Sequence, residues 1–433
     1  MFTRYTRYMI DWLKTKKFHQ YLLISIIIFS AVFRFTNFTT RFHFTGDQAL
    51  ASSRAYEIWK NKEITLVGIP ITSWSYEGKN AHISSTAYYL QLIPMLLTNF
   101  DPMAASFLVS VFAVFLLIPL YIGTKKITKS VNAGLLMAVV FGLFPLYINY
   151  TVFLWNPNFQ LLLAPLSIFL MGLYEDRQKP FFLCAGGAIL GLMATLHFQF
   201  ALGIFGIFIT YTIVLHKRKK LLDLLLFVIG LVFGFSPMIL AELHTQFYNS
   251  TIILSYFSDI FSGEGQKISN FPVHYGMVSL LFLILGVVTL FKKYLTNYYL
   301  LILILALMLV NATIYLPKPS SAWNLPNGWY YSNELEISKI IVENNLSNFN
   351  ILNLAYVEPL ANVQKYLLIS THPETAQKLS TDYYSNEYLY VFAQNITDVN
   401  SSQNYEVKLF PNEPINTWKI GDSYNLYLFQ SSK

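Results

Sequence analysis

Residues 221–241 read LLDLLLFVIGLVFGFSPMILA, a run of 21 residues that carries one charged side chain, Asp223, near its start. About 20 apolar residues span the hydrocarbon core of a bilayer as a helix. The basic cluster at 217–220 precedes the run, and such clusters mark the cytoplasmic end of a membrane helix. The stretch therefore predicts a transmembrane helix that begins on the inner face.

The composition of the whole chain agrees with this prediction. Of 433 residues, 54% are hydrophobic and 12% are charged, and the mean hydropathy is +0.44. A soluble domain is about 25% charged, so these values exclude an ordinary soluble enzyme, a disordered protein and a fibrous repeat. The single cysteine, Cys184, excludes an intrachain disulfide and a metal site built from several cysteines.

Further apolar runs on both sides of this segment predict a polytopic α-helical membrane protein with about nine transmembrane helices. The runs are 21–36, 103–123, 131–150, 158–174, 181–196, 199–215, 221–241, 274–291 and 297–316. A shorter apolar stretch, 86–100, is interrupted by Gln91 and Pro94. We interpret it as a juxtamembrane helix that does not span.

The distribution of charge supports that interpretation and sets the orientation. With a cytoplasmic N-terminus, the inner segments hold 16 Lys and Arg residues, whereas the outer segments 37–102 and 242–273 hold six. A spanning 86–100 would invert every later loop, against the positive-inside rule. Residues 1–316 carry a net charge of +11 and residues 317–433 carry −4. The basic excess therefore reports topology, and no nucleic-acid partner is predicted.

Two domains follow from this threading. Residues 1–316 form the transmembrane domain, with 37–102 as its first extracytoplasmic loop. Residues 317–433 form a small C-terminal α/β domain that also lies outside the cytoplasm. In the loop, 47–60 has the pattern of a helix. In the C-terminal domain we predict a helix over 332–345 and strands over 350–357, 387–393, 404–410 and 424–429.

Polar residues gather at the predicted outer ends of the helices. They are Arg34, Gly46-Asp47-Gln48, Glu77 to His82, Trp155-Asn156-Pro157-Asn158, His197 and Glu242-Leu243-His244. Several segments that contribute to one membrane face indicate a site. Each residue also has a plainer interpretation. Asp47 fits a helix N-cap, Arg34 fits an arginine that reaches the headgroups, and Trp155 fits the aromatic belt.

Read in order, these residues resemble the bacterial family 39 glycosyltransferases of the GT-C superfamily. This family is related to dolichyl-phosphate-mannose–protein mannosyltransferases and to the aminoarabinose transferase of lipid A. The resemblance covers about 30–316 and rests on Arg34, the Gly46-Asp47-Gln48-Ala49 segment, the loop from Gly68 to Leu90 and the later Trp155, His197 and Glu242 motifs. The C-terminal domain matches only in type.

The resemblance implies transfer of a sugar, with inversion, from a polyprenyl-phosphate-linked donor to an extracytoplasmic acceptor at the plasma membrane. A phosphate leaving group needs no proton, so the site needs one base and one cation. Asp47 is the catalytic base in this interpretation. The phosphate-binding candidates are Arg34, Arg41, Arg54 and Lys79. The substrate-positioning candidates are Gln48, Glu77, His82, Trp155, Asn156, Asn158, His197, Glu242 and His244.

No metal-ligand spacing is evident in the sequence, and no cofactor is predicted with certainty. A divalent cation, Mg²⁺ or Mn²⁺, held by Asp47 and the donor phosphate is compatible with the resemblance, because some GT-C enzymes use one. Two other classes of function stay open. A transporter or flippase of lipid-linked glycans predicts charged residues near helix midpoints. It also predicts two halves of the chain that are related as an internal repeat. A non-catalytic membrane scaffold leaves the outer-end polar residues without a purpose.

Overall fold

The computed structural model of the protein describes residues 15–76, 78–197, 203, 207, 220–262, 276–296, 298–315, 325–326, 328–356, 358–380, 384–399, 402, 404–410 and 413–431. The first half of the chain is mainly helical, with one β-hairpin. Its elements are α1 (Lys16–Phe35), α2 (Phe38–Arg41), α3 (Gly46–Asn61), β1 (Val67–Tyr76), β2 (Lys79–Ser84), α4 (Thr86–Leu97), α5 (Pro102–Phe115), α6 (Leu117–Thr128), α7 (Val131–Leu143), α8 (Pro145–Asn149), α9 (Asn156–Arg177) and α10 (Pro180–Leu196).

The second half continues with helices and then forms a mixed α/β region. Its elements are α11 (Leu221–His244), α12 (Tyr248–Ser262), α13 (Met277–Leu290), a 3₁₀ turn (Tyr294–Thr296), α14 (Tyr298–Tyr315), α15 (Tyr331–Asn344), β3 (Phe349–Asn353), α16 (Asn362–Thr371), α17 (Pro373–Ala376), β4 (Tyr388–Gln394), α18 (Tyr405–Lys408), β5 (Asn416–Ile420) and β6 (Tyr424–Gln430).

Four helical segments of the described chain are long and apolar enough to cross a membrane. They are Lys17–Phe35, Pro102–Thr128, Asn156–Arg177 and Leu221–His244. Five other apolar helices are shorter: Thr86–Leu97, Val131–Leu143, Pro180–Leu196, Met277–Leu290 and Ile302–Ile314. The predicted helix over 199–215 falls outside the described residues apart from 203 and 207. The membrane class of the fold thus holds, while the count of nine spanning helices stays a prediction.

One face of α11 exposes large apolar side chains, which indicates the environment of these helices. Large apolar side chains on this helix are exposed, among them Leu225 (54%), Ile229 (49%) and Phe233 (73%). A soluble protein rarely exposes so continuous an apolar face. A lipid environment satisfies it, because hydrocarbon tails contact such side chains without the cost of ordering water.

Glycines bring α10 and α11 into close contact. A β-carbon on Gly191 would lie 2.1 Å from the carbonyl oxygen of Leu231, and one on Gly234 would lie 1.8 Å from that of Ala188. Gly187 and Gly230 complete a Gly-x-x-x-Gly pair on each helix. Small residues at this spacing let helix backbones approach in a membrane, where packing replaces the hydrophobic effect as the driving force.

The chain divides into two compact units. The first unit comprises Met1–Thr36, Ile64–Pro94 and Ser106–Pro317, and the second unit comprises Asn37–Glu63, Met95–Ala105 and Lys318–Lys433. The second unit therefore combines α2 and α3, from the early part of the chain, with the C-terminal α/β region. Helix α3 packs on α16 within this unit.

A four-stranded sheet organises the second unit. The strand order is β3-β4-β6-β5, with β3 and β4 parallel and the other pairs antiparallel. Side chains of the sheet and of α15, including Ile337, Phe349, Tyr390 and Phe392, form a buried core. The loop from β3 to α16 leaves the carboxyl end of β3. In sheets with parallel strands, ligand sites commonly lie at that end.

Several local predictions are confirmed. The loop helix predicted over 47–60 is α3, the helix over 332–345 is α15, and strands over 387–393 and 424–429 are β4 and β6. The strand predicted over 350–357 ends earlier, at Asn353, because Asn353 turns the chain with its side chain. The strand predicted over 404–410 is wrong. Asn404 caps a short helix there, accepting from the Glu406 N–H at 3.0 Å.

Candidate functional site

Asp47 lies in the first turn of α3, and other residues cap that helix. Thr45 is the N-cap, and it forms a capping box with Gln48, whose Oε1 accepts from the Thr45 N–H at 2.6 Å. Gln48 is consequently buried. The plainer interpretation of Asp47 as the N-cap is therefore wrong, and its carboxylate is not used to begin the helix.

The Asp47 side chain reaches solvent. Within the described part of the chain it makes no ion pair and no side-chain hydrogen bond. Desolvation by the surrounding protein nevertheless raises the pKa of its carboxyl above the ordinary value. The N-terminal turn of a helix favours negative charge. Asp47 is thus an accessible carboxylate with an increased affinity for protons, as a general base requires.

A second carboxylate, that of Glu358, stands beside the start of α3. A β-carbon on Gly46 would lie 2.2 Å from Glu358 Cγ and 2.7 Å from Cδ, so the Glu358 side chain lies directly against the Gly46 backbone. Its Oε2 accepts from the Asn362 N–H at 3.2 Å, at the first turn of α16. Desolvation and the charge of Asp47 raise the pKa of Glu358 to about 7, against opposing effects of the Asn362 N–H and the Lys365 charge.

A buried carboxyl supports the loop that carries Glu358. Glu334, on α15, is 1% exposed and accepts from Trp329 Nε1 at 2.6 Å and from the Tyr356 hydroxyl at 3.0 Å. It also accepts from Gln364 Nε2 on α16. Desolvation raises the pKa of Glu334 to about 8, although the hydrogen bonds from Trp329 and Tyr356 act in the opposite direction.

Two of the predicted phosphate-binding arginines also belong to the second unit. Arg41 is buried, and desolvation lowers the pKa of its guanidinium to about 10, which leaves it protonated at neutral pH. Its carbonyl oxygen lies 3.4 Å from His43 Nδ1. Arg54, on α3, pairs with Glu57 of the same helix at 2.9 Å and with Glu63, beyond the end of the helix, at 2.6 Å.

Arg34, at the end of α1, holds helices of the first unit together. Its side chain is fully buried. Nε donates to Thr151 Oγ1 at 3.0 Å, and the two terminal nitrogens donate to Ser30 and to the carbonyl oxygens of Phe141 and Gly142. Those carbonyls end α7, where the helix dipole favours a cation. In this structure the guanidinium is therefore occupied by protein acceptors.

His82 and Glu242 contact the start of α12 from two sides. The side-chain amide of Asn249 accepts from the His82 N–H at 2.7 Å and donates to the His82 carbonyl at 3.0 Å. Glu242 Oε2 accepts from both the N–H and the hydroxyl of Ser250, at 2.9 and 2.6 Å. The other oxygen of Glu242 is buried and has no hydrogen-bond partner among the described residues.

The Trp155-Asn156-Pro157-Asn158 motif begins α9 and joins it to the end of α10. Asn156 Nδ2 donates to the Leu196 carbonyl at 3.0 Å, and Asn158 Nδ2 donates to the Phe153 carbonyl at 3.1 Å. His197 is the buried C-cap of α10. One turn further, Gln160 Nε2 donates to the Met193 carbonyl at 2.7 Å. Asn156 and Gln160 thus cap the C-terminus of α10, and Asn158 holds the segment that leads into α9.

The other predicted site residues are exposed or fall outside the description. Lys79, on β2, and His244, at the end of α11, are exposed. Glu77 lies outside the described residues. The structure brings Asp47 together with Gln48, and it adds Glu358, which sequence reasoning missed. No group of three or more His, Cys, Asp or Glu side chains suited to a metal ion occurs within the described ranges.

An apolar cavity of about 430 Å³ opens in the first unit near the start of α4. Its lining includes Leu66, Leu90 and Ile93 from one side and Leu192, Pro237 and Leu240 from α10 and α11. The hydroxyl of Tyr89, another lining residue, donates to the Thr65 carbonyl and accepts from the Thr65 N–H. The cavity thus offers mainly hydrocarbon contacts.

Comparison with known proteins finds similarity at the level of structure. No protein-family model matches the chain, and no curated protein matches its sequence. Among solved structures, the chain is similar to an oligosaccharyltransferase of Archaeoglobus fulgidus, crystallised with a tethered acceptor peptide that contains an NVT sequon. The identity is 14% and the TM-score is 0.39, and the match covers 82% of this chain and 46% of the other. The chain thus spans less than half the length of that protein.

Proposed function

We propose that the protein is a membrane glycosyltransferase that moves a sugar from a polyprenyl-phosphate-linked donor to an acceptor outside the cytoplasm. The observation that carries the proposal is the state of Asp47. This carboxylate is solvent-accessible, is not used to cap its own helix, and has a raised pKa. Within the described residues, four helices are long and apolar enough to cross a membrane, and in this proposal the acceptor meets a lipid-anchored donor at the membrane surface.

The proposed reaction needs few groups. The acceptor hydroxyl or amine attacks the anomeric carbon while Asp47 accepts its proton, and the bond to the phosphate oxygen breaks with inversion. The phosphate leaves as an anion without a proton. A base of raised pKa suits this step, because proton transfer is most effective when the base pKa approaches the working pH. A second carboxylic acid of the kind used by glycoside hydrolases is not required.

The anionic leaving group needs a cation. Arg34 is less suited than we expected from sequence, because its donors are engaged by Thr151, Ser30 and the end of α7. We propose a structural role for Arg34. Arg41 and Lys79 are the remaining candidates of choice, since Arg54 already pairs with two glutamates. An arginine grips a phosphate through two parallel hydrogen bonds, whereas a lysine offers a point charge.

The apolar cavity favours a lipid-linked donor over a soluble nucleotide sugar. A polyprenyl chain is branched hydrocarbon, and the cavity lining of Leu90, Ile93 and Leu240 matches it in polarity. The chain reaches the cavity from the bilayer, whose lipid tails are equally apolar, so close packing in the cavity, and not removal from water, is the favourable contribution. In the proposed orientation the N-terminus is cytoplasmic, the protein lies in the plasma membrane, and residues 317–433 are extracytoplasmic.

The test is transfer of radiolabelled sugar by the purified protein from a panel of polyprenyl-phosphate sugars to membranes that supply acceptors. The Asp47→Asn variant keeps the size of the side chain and removes its basicity. We expect transfer by the unaltered protein and a loss of about 100-fold or more in the variant, the usual range for a general base. Glu57→Gln, on the same helix, is the matched control, because it removes only a surface ion pair with Arg54 and should retain activity.

The outcomes separate the alternatives. Equal transfer by Asp47→Asn and the unaltered protein would remove Asp47 from the chemistry. Absence of transfer from every donor would contradict the glycosyltransferase proposal, provided that cooperative unfolding shows the purified protein to be folded. In that case uptake of labelled lipid-linked glycan into vesicles would test the transporter instead.

A further inference from the structure

We propose that a cluster of cations at the adjoining ends of α6 and α9 binds the phosphate headgroup of an anionic phospholipid. This basic cluster consists of Lys125, Lys126, Lys129, Arg177 and Lys179, and all five residues belong to the first unit. In the proposed orientation this end of both helices faces the cytoplasm. Occupancy of the site does not depend on sugar transfer and requires only that the two helices lie in a bilayer.

The position of the basic cluster matches the level of the lipid headgroups. The segment Pro102–Thr128, which ends with α6, and the segment Asn156–Arg177, which is α9, are long and apolar enough to cross a membrane. The cations lie in the last turn of each helix or directly after it. A helix that crosses the bilayer places such residues at the headgroups, and long basic side chains extend toward the phosphates.

The backbones of α6 and α9 meet shortly before these ends. A β-carbon on Gly123 would lie 2.6 Å from the carbonyl oxygen of Ile168, and one on Gly172 would lie 2.5 Å from that of Gly123. Glycines allow such close approach of helices in a membrane. The two C-termini, which are distant in sequence, are therefore side by side, and their cations share one area of the surface.

Asp176 shows that the cations of the two helices converge. Its carboxylate forms an ion pair with Lys126 of α6. Lys129 and Arg177 also act on this carboxylate electrostatically. One carboxylate thus faces three cations. Over residues 121–131 and 174–180, five Lys and Arg residues stand against two carboxylates, so the area keeps a net positive charge.

Most of this charge is not neutralised by the protein. Four of the cations are exposed and form no ion pair within the part of the chain that the structure describes, namely Lys125, Lys129, Arg177 and Lys179. The neighbouring Lys220, before α11, differs from them. Its ammonium donates to Gln178 Oε1 and pairs with Asp223 at 3.7 Å. The basic cluster therefore has charge available for a ligand.

Aromatic rings lie beside the cations. The Arg177 guanidinium is 5.7 Å from the centre of the Phe182 ring, and Lys125 Nζ is 5.9 Å from that of Tyr121. Phe181, at the start of α10, is 73% exposed. Such rings contact acyl chains and at the same time attract cations to their faces. An apolar surface with a cationic rim fits a phospholipid better than an acidic protein or a nucleic acid, which offer no acyl chain.

The net charge selects among phospholipids. A zwitterionic headgroup brings an ammonium together with its phosphate, whereas an anionic headgroup brings only negative charge. Basic pockets between transmembrane helices on the cytoplasmic side bind anionic headgroups in this way. Arg177 is suited to grip the phosphate through two parallel hydrogen bonds, and Lys129 adds a point charge.

The test is lipid binding by the purified full-length protein in detergent. Phosphatidylglycerol and phosphatidylcholine with the same acyl chains are titrated separately, and native mass spectrometry gives the ratio of their dissociation constants. We expect the unaltered protein to prefer phosphatidylglycerol. The double variant Lys129→Gln with Arg177→Gln should lose about 10-fold or more of this preference, because each Lys or Arg near a lipid surface contributes about fivefold.

Two further variants sharpen the test. Lys60→Gln with Lys62→Gln, at the exposed end of α3, removes the same charge elsewhere and should retain the preference. Asp176→Asn removes the carboxylate that competes with the lipid phosphate, so the preference should rise. Its half-exposed ion pair with Lys126 contributes little to stability. The unfolding midpoint of every variant is measured to show that the protein is folded.

The outcomes decide the proposal without an assay of sugar transfer. Equal affinity of the unaltered protein for the two lipids would overturn it. An equal loss of preference in both double variants would also overturn it, because total charge and not the basic cluster would then select the lipid. Displacement of bound phosphatidylglycerol by inorganic phosphate would indicate a site for a soluble anion instead. A preference that falls only in Lys129→Gln with Arg177→Gln and rises in Asp176→Asn supports the lipid site.

Discussion

The side-chain amide of Asn249 forms hydrogen bonds with both main-chain groups of His82, at 2.7 Å to its N–H and 3.0 Å to its carbonyl. The two residues are 167 positions apart, and Asn249 is 4% exposed. The amide takes the place of a third strand beside β2 in the two-stranded hairpin. A helix side chain thus protects the exposed edge of a small sheet.

We expect Asn249→Ala to destabilise the hairpin and the start of α12. The substitution leaves the partly buried N–H and carbonyl of His82 without their Asn249 partner, and an unsatisfied buried group costs up to about 1–3 kcal/mol. The unfolding midpoint should fall, and hydrogen exchange of the peptide that contains His82 should become faster. Asn395→Ala is the control, since the exposed Asn395 makes one side-chain hydrogen bond, to the Asp422 carbonyl. Equal exchange in both variants would contradict this account.

Arg34→Ala should destabilise the first unit strongly. The loss removes donors from Thr151, Phe141 and Gly142 at a buried helix end, and hydrogen bonds to charged groups contribute about 1.5–3 kcal/mol each. Arg34→Lys should restore only part of the loss, because an ammonium cannot reproduce the planar fork of donors. The measurement is thermal unfolding in detergent.

The control for Arg34 is Arg54→Ala, which removes two half-exposed ion pairs. Exposed pairs contribute about 0–1 kcal/mol, so its midpoint should change little. An Arg34→Ala protein of unchanged stability that no longer binds polyprenyl phosphate would return Arg34 to the phosphate site predicted from sequence.

Gly191→Ala should separate α10 from α11. The added methyl group would stand 2.1 Å from the Leu231 carbonyl oxygen, a backbone atom that cannot rotate away. Overpacking of this kind costs about 1–3 kcal/mol. Gly286→Ala, on α13, is the control, because a β-carbon at Gly286 meets no atom within 4 Å. Identical unfolding midpoints of the two variants would show that the glycines do not set the helix spacing.

Local patterns predicted much of the fold. The helix around Asp47 was predicted from its start signal and its periodicity. The long apolar helices were predicted from the length of the apolar runs alone. The single turn residue Leu116, between α5 and α6, interrupts the predicted helix over 103–123 only locally, and its signal is Pro119 three residues later, which removes one backbone donor from the helix. The Gly-x-x-x-Gly spacing at Gly187 and Gly191 was visible in the sequence, and it would have predicted the α10–α11 contact.

The candidate site could be predicted only in part. Asp47 was found because it lies at a helix start in a polar loop. Glu358 was missed, since it is separated from Gly46 by more than 300 residues and no local pattern distinguishes it from other glutamates. The capping role of Gln48 and the structural role proposed for Arg34 depend on partners that only folding brings near.

The contact between Gly46 and Glu358 also orders events in time. At about 5–20 residues per second, a ribosome completes Glu358 about 15–60 s after Gly46. Throughout that interval α3 lacks the helix α16 on which it packs. The nascent chain must therefore keep the Asp47 segment from aggregation or proteolysis until the last strands arrive. Formation of this contact is then a late step of biogenesis, reached only by chains translated past Glu358.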